Sequence, residues 1–281
     1  MGSKASRAKR PTPTIPHDII NEILDYLASD SDFQSLRACA LVSKRWVQPC
    51  QRHLFHTICF NSTNARNWLK TFPAREESPA HHVRDFRLEI EEVTSFPDQF
   101  FECIPWFTDV DKMSLLGFKG NPLGTWLFPL LREPAHWKLP RSVTSLTINP
   151  RTGVVSLIQV RDIMAQLPNL DNLELSGYIN VVDRRKPPGI GTALRARFGG
   201  RLKLRGVCVS EEVINMLLEI PSGLHFTELV ICCTYNRLPS SAVRLTEACA
   251  KTLVKLSHTV DFWGKSHPLP SLVGSNAKYR C

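Results

Sequence analysis

Long apolar runs are missing from this 281-residue chain. No stretch approaches the roughly 20 consecutive apolar residues that a membrane-spanning helix needs. The first ten residues, MGSKASRAKR, also lack the apolar middle of a secretory signal. These two gaps predict a cytoplasmic or nuclear protein and leave Asn61-Ser62-Thr63, a formal glycosylation triplet, without access to that chemistry. Catalytic signatures are missing too. There is no HExxH, nucleophile elbow, phosphate loop or Gly-bounded carboxylate pair, and the nine histidines form no readable acid–base set. Gly189-Ile190-Gly191 lacks the further glycine and the preceding strand of a dinucleotide fingerprint. No catalytic residue and no cofactor is expected. The cysteines number nine, an odd count, and sit mostly in apolar patterns, which predicts reduced buried thiols and not a disulfide framework.

What is present is an ordinary folded composition, 43% hydrophobic and 22% charged, with a net charge of +9. Part of the positive charge lies in residues 1–13, read as a disordered basic leader. Its start, Met1 to Ser6, also fits the permissive myristoylation pattern. A second concentration runs through Arg184, Arg185, Lys186, Arg195, Arg197, Arg201, Lys203 and Arg205. Phe198 is the lone aromatic among them, so the series of stacking rings that single-stranded nucleic acid needs is absent. A solvated basic loop is the preferred reading. The alternative is a basic nucleic-acid or membrane-surface binding protein that uses the 184–205 segment, for which steep salt dependence would speak.

Residues 15–58 carry the densest pattern. Ile15, Ile19, Ile20, Ile23, Leu24 and Leu27 wrap more than one stripe around a helix opened by Pro16, a residue tolerated in the first turn. Asp30-Ser31-Asp32 offers caps for a second helix through Phe33, Leu36, Cys39 and Ala40, and Ser43 can cap a third, which Pro49 is expected to kink or restart. Three helices of this length cannot bury both apolar sides among themselves, so the surplus implies an external groove or a following domain. Cys50, His53, His56 and Cys59 recur every three residues, a spacing that drifts around a helix and closes poorly into a tetrahedron. No metal is expected.

This ordered set, with Leu41-Val42-Ser43-Lys44-Arg45-Trp46 and the closing Leu54-Phe55, resembles an F-box. The resemblance implies docking on a Skp-type adaptor and, through it, a cullin-RING ubiquitin ligase. The adaptor-binding residues it implies are Pro16, Ile19, Ile20, Ile23, Leu24, Leu27, Val42 and Trp46.

Beyond the helices a different period begins. A V/L-x-x-L-x-L type string recurs with its central apolar residue at Phe86, Met113, Leu146, Leu173, Leu202, Leu229 and Leu256, spaced 27, 33, 27, 29, 27 and 27, with Met113 the weakest copy. Helix-period segments such as SLIQVRDIMAQLPN separate several of these strings. The pattern looks like an irregular leucine-rich repeat array, although a periodic α/β chain of another topology would alternate similarly. The expected fold is α/β: a three-helix F-box module over 14–60, a degenerate leucine-rich-repeat horseshoe over 61–264, and an irregular tail over 265–281 that leaves the last repeat open.

Strand alternation would put Asp85, Arg87, Lys112, Ser145, Thr147, Asn172, Glu174, Arg201, Lys203, Glu228 and Lys255 on one accessible face. Of these, Arg87, Asn172, Glu174, Arg201, Lys203 and Glu228 are the candidate contacts to a target protein. The helix–strand arrangement is similar to fungal F-box proteins with degenerate repeats. By that resemblance the chain would be the non-catalytic substrate-recognition subunit of a Skp-cullin-F-box type ubiquitin ligase, with no membrane or nucleic-acid partner.

Overall fold

The computed structural model describes residues 15–90, 96–117, 139–150, 154–180, 198–206, 209–220, 223–233 and 240–260. The expected leader and tail, and most of the basic segment, lie outside these residues.

Three helices open the chain: α1 (His17–Ser29), α2 (Phe33–Val42) and α3 (Lys44–Leu54). Pro16 sits just before α1, and its carbonyl accepts the Ile20 N–H at 3.2 Å. The end of α1 is set by Ser31, whose φ of 58° lies in the left-handed region. That turn lets the Asp32 N–H reach back to the Leu27 carbonyl at 2.9 Å. Asp32 then caps α2, its carboxylate accepting the Ser35 N–H at 3.0 Å. Ser43 occupies the corresponding place before α3, but its hydroxyl makes no capping bond. The expected break at Pro49 does not occur; α3 runs through it as one helix. One backbone bond is forfeited there, while the adjacent Cys50 is fully buried and the half-buried Trp46 packs on the same core.

That core is small and separate: Ile20, Leu24, Leu36 and Cys50, ringed by Leu27, Ala28, Cys39, Ala40, Trp46 and Leu54. Burial pushes the Cys50 thiol up to about 11, so it stays a neutral apolar filler.

An eight-stranded sheet follows, built from β1 (Thr57–Phe60), β2 (Asp85–Ile90), β3 (Lys112–Gly117), β4 (Ser145–Asn149), β6 (Asn172–Leu175), β8 (Arg201–Arg205), β9 (Glu228–Cys233) and β10 (Lys255–Val260). The strands lie side by side in chain order, and every pairing is parallel. Two short strands, β5 (Val154–Ser156) and β7 (Tyr178–Asn180), pair in a second parallel ribbon. Parallel neighbours need crossovers. The described ones carry α4 (Ser62–Thr71), α5 (Asp98–Glu102), α6 (Leu157–Gln166), α7 (Glu211–Leu218) and α8 (Ser240–Ala248).

The register turns the sequence period into one transverse row. Phe86, Met113, Leu146, Leu173, Leu202, Leu229 and Leu256 are successive partners, extended on the first strand by Ile58. Met113, the weakest copy by sequence, stands in the row like the rest. A second row two residues on runs from Phe60 and Leu88 to Leu204 and Ile231, as period-2 alternation requires. From β2 to β9 both rows are buried.

The backbone repeats the same device before each strand. The carbonyls of His56, Arg84, Asp111, Thr144, Gly200 and Thr227 each accept two consecutive N–H groups from the start of the next strand. Between β6 and β8 the device is shared with side chains: the Asp171 carbonyl accepts only the Gly200 N–H, at 3.2 Å, while Asn172 Oδ1 accepts the Arg201 N–H and Asp171 Oδ1 that of Gly199, each at 2.8 Å. A Cβ on Gly200 would stand 2.4 Å from Asn172 Oδ1 and 2.6 Å from Asp171 Oδ2, so a larger residue would displace the two side chains that bond this junction.

The two ends of the sheet differ from expectation. Residues 57–60, expected to close the helical module, form the first sheet strand. There Phe60 is buried against Phe100, Trp68, Phe86 and Phe107, with centroids 4.7–5.7 Å away. Asn61 is spent on a capping box with Asn64 at the start of α4. At the far end Leu256, expected in the core, is 53% exposed, because among the described residues no element covers the inward face of β10.

Candidate functional site

Two surfaces carry the candidate residues. The first is the outside of the helical module. Helix geometry puts Ile20 and Leu24 on one stripe, while Ile19, Ile23 and Tyr26, spaced by four and three, form another centred roughly 110° around the axis, with Ile15 just before the helix. The first stripe faces the core and the second is exposed, with Ile19 45% and Ile23 40% accessible. Phe33 at the start of α2 and Leu41-Val42 at its end are exposed too, Leu41 the most at 88%.

The expected adaptor set therefore divides. Pro16, Ile19, Ile23 and Val42 are exposed, and Leu27 and Trp46 are half-buried at the rim of the core. Ile20 and Leu24, expected on the docking surface, are at most 2% exposed and instead hold the three helices together. Tyr26, Phe33 and Leu41 were not among the expected contacts. The available signal was angular, since Leu41 is five residues from Leu36, about 140° around α2 and so turned away from the core.

The spaced Cys50, His53, His56 and Cys59 are not brought together. Cys50 is in the core, His53 Nε2 meets Asp25 Oδ1 at 3.1 Å, His56 is exposed, and Cys59 lies in β1. Among the described residues no group of three or more His, Cys, Asp or Glu could hold a metal.

The second surface is the polar face of the sheet, where all six candidate target contacts lie on alternate strand positions. Asn172, Glu174, Arg201 and Lys203 share a depression of about 290 Å³ with Lys112, Thr144, Ser145 and Thr147. Arg87 and Glu228 lie outside that depression, on β2 and β9. Arg87 is closed by Asp85 at 2.7 Å, a hydrogen-bonded pairing that raises its affinity for the proton. Lys203 meets Glu174 at 2.8 Å and Arg205 approaches the same oxygen at 3.7 Å. Glu228 is shared by Lys255 at 2.9 Å and Arg201 at 3.5 Å, and the Lys255 hydrogen bond holds its carboxyl below the usual carboxylate range. The basic segment thus divides: its described members Arg201, Lys203 and Arg205 are strand residues bonded to carboxylates, while residues 184–197 lie outside the described residues.

Together these features define an α/β protein with an N-terminal three-helix module. That module is matched by the family model described as F-box-like, over residues 12–61, so the chain carries an F-box-like domain there. F-box domains bind Skp-type adaptors in cullin-RING ubiquitin ligases. No curated protein matches the chain. Among the described residues no helix is long and apolar enough to cross a membrane.

Proposed function

We propose that this chain is a non-catalytic substrate-recognition subunit of a Skp-cullin-F-box type ubiquitin ligase. Its helical module docks on the adaptor, and its sheet, an irregular leucine-rich-repeat horseshoe, holds a target protein. One observation carries the reading. Of the ten large exposed hydrophobic side chains among the described residues, seven (Ile15, Ile19, Ile23, Tyr26, Phe33, Leu41 and Val42) belong to α1, α2 and the residue pair before α1. So many exposed apolar side chains on a module this small favour a protein interface, and a helix laid in a groove is the usual way to cover one. Pro16, Ile19, Ile23, Leu41 and Val42 would supply the contact, with Leu27 and Trp46 at its rim and Ile20 and Leu24 as the core behind it.

The single transverse row and the recurring two-donor carbonyl support the repeat reading, because each repeat uses the previous strand as its template. Target contacts would come from Arg87, Asn172, Glu174, Arg201, Lys203 and Glu228. The test is coexpression with a Skp-type adaptor. The native chain should copurify at one-to-one stoichiometry, and Ile19→Asp with Ile23→Asp should abolish copurification while circular dichroism stays native. Undiminished recovery of adaptor with that double variant would overturn the docking reading.

A further inference from the structure

The polar sheet face has more cations than carboxylates to meet them. From β2 to β10, Arg87, Lys112, Arg201, Lys203, Arg205 and Lys255 face four acids, Asp85, Glu89, Glu174 and Glu228. Asp85, the register neighbour of Lys112, is held by Arg87 at 2.7 Å, the four cations of β8 and β10 share Glu174 and Glu228, and Lys112 makes no ion pair among the described residues. The surplus is focused, because Lys112 stands on one side of the 290 Å³ depression and Arg201 and Lys203 on the other, with Ser145, Thr147, Asn172 and Glu174 between them. Hydroxyls and ammonium groups converging on one hollow are donors waiting for an acceptor. Glu174 is contested by Lys203 and Arg205, so Lys203 can turn to an incoming anion while Arg205 keeps Glu174 paired.

On the described positions of this face no aromatic ring stands among the charges, which removes the stacking platform that a nucleic-acid strand uses. The interspersed acids also disfavour a uniform polyanion, whereas a peptide can space its charges to match. We infer that the depression takes a carboxylate side chain from an extended acidic segment of the target protein, held between Lys112 and Lys203. This deepens the target-binding reading and rests on it.

The full chain copurified with its adaptor should be titrated with a fluorescein-labelled decapeptide of Glu, Gly and Ser, read by polarisation. The controls are its Gln counterpart, its phosphoserine counterpart and a single-stranded oligonucleotide of equal charge. The Glu peptide should bind at least tenfold tighter than the Gln peptide and weaken with salt. Lys112→Ala should weaken it about fivefold, and Lys112→Glu should abolish it, with thermal melting and adaptor recovery unchanged.

Equal binding of the Glu and Gln peptides, or indifference to Lys112→Glu, would overturn the inference. So would binding confined to the phosphoserine peptide, or tighter binding of the oligonucleotide. A second arm separates this from failure of the target reading. Thr147→Arg, which obstructs the face, should eliminate the proteins captured from native lysate. If it does while the Glu peptide fails, only the acidic assignment falls. If capture is unchanged, the sheet face is not the target site.

Discussion

The helical module and the sheet solve opposite problems. The module buries four side chains fully and displays a larger apolar set outside, whereas the sheet encloses a long core and shows mainly charged and hydroxyl groups on its open face. The first surface would pair by hydrophobic burial, which is strong and tolerant of geometry. The second would pair by matched charges and hydrogen bonds, which are individually weak and selective. On the proposed function, a subunit that holds one constant partner and one particular target would gain from that division.

The largest effects should come from the sheet's inward row, whose two ends differ. Leu146 is fully buried and Leu256 half exposed, although the sequence presents them as copies of one position. Leu146→Ala should lower unfolding free energy by about 2–5 kcal/mol, whereas Leu256→Ala should change it by no more than about 0.5 kcal/mol. Urea denaturation of both variants checks this, and equal losses would show that the far end of the row is covered after all.

Within the module the same contrast should separate stability from binding. Leu24→Ala removes a core side chain and should cost about 2–5 kcal/mol, melting the three helices and losing adaptor with them. Ile23→Ala, one residue away on the exposed stripe, should leave the melting curve within about 0.5 kcal/mol of native and still weaken adaptor binding about tenfold. Titration calorimetry beside thermal melts distinguishes the two. Should Ile23→Ala destabilise the module and spare binding, the stripes would have to be exchanged.

How legible these surfaces were depended on which physical signal each residue carried. The repeat row could be read because a fixed period in the sequence maps onto a fixed register in space. Even Met113 belongs to it, although its spacing of 33 residues to Leu146 is the longest in the series. Leu256 misled because pattern reports position in the repeat and says nothing about whether a further element covers it. In α1 the apolar count showed two faces, but which one turned inward depended on α2 and α3, and Ile20 and Leu24 were assigned to the partner for that reason. Strand β1 escaped notice because four residues after a helix carry almost no periodicity, and Phe60 reveals its role only against the aromatic cluster. The candidate target contacts were legible as a face, since alternation is local. The surplus of charge on that face was not, because it depends on which strands lie side by side.

Smaller effects should follow from the two helix starts inside the module. Asp32 accepts the Ser35 N–H, and the Ser35 hydroxyl first, with this N–H second, holds the carboxyl below its ordinary value. Ser43 stands in the same position before α3 without making such a bond. Asp32→Ala should therefore cost about 1 kcal/mol, and Ser43→Ala only a few tenths. Comparable losses in chemical denaturation would mean that the Ser43 hydroxyl does bond in solution.

The smallest effect should be a pH dependence located where module and sheet meet. His53 on α3 and His82, in the 3-10 turn Pro79–His82, both have their proton affinity lowered, chiefly by burial. At His53 the Asp25 carboxylate opposes that shift while Arg52 and His56 reinforce it. At His82 the neighbouring His81, Arg52 and Arg84 reinforce it against Asp109. A histidine whose folded pKa lies below its unfolded value binds more protons unfolded than folded, so stability rises with pH through that window. The contribution is fully present above the unfolded value of about 6.5 and is lost as pH falls through it and on below the folded value. Melting temperature should decline from pH 7.5 to pH 5.5, and His82→Gln should flatten the slope, because an uncharged side chain there has no proton to gain on unfolding. A slope unchanged in both His82→Gln and His53→Gln would place the titrating groups elsewhere and separate the module–sheet junction from the acid response.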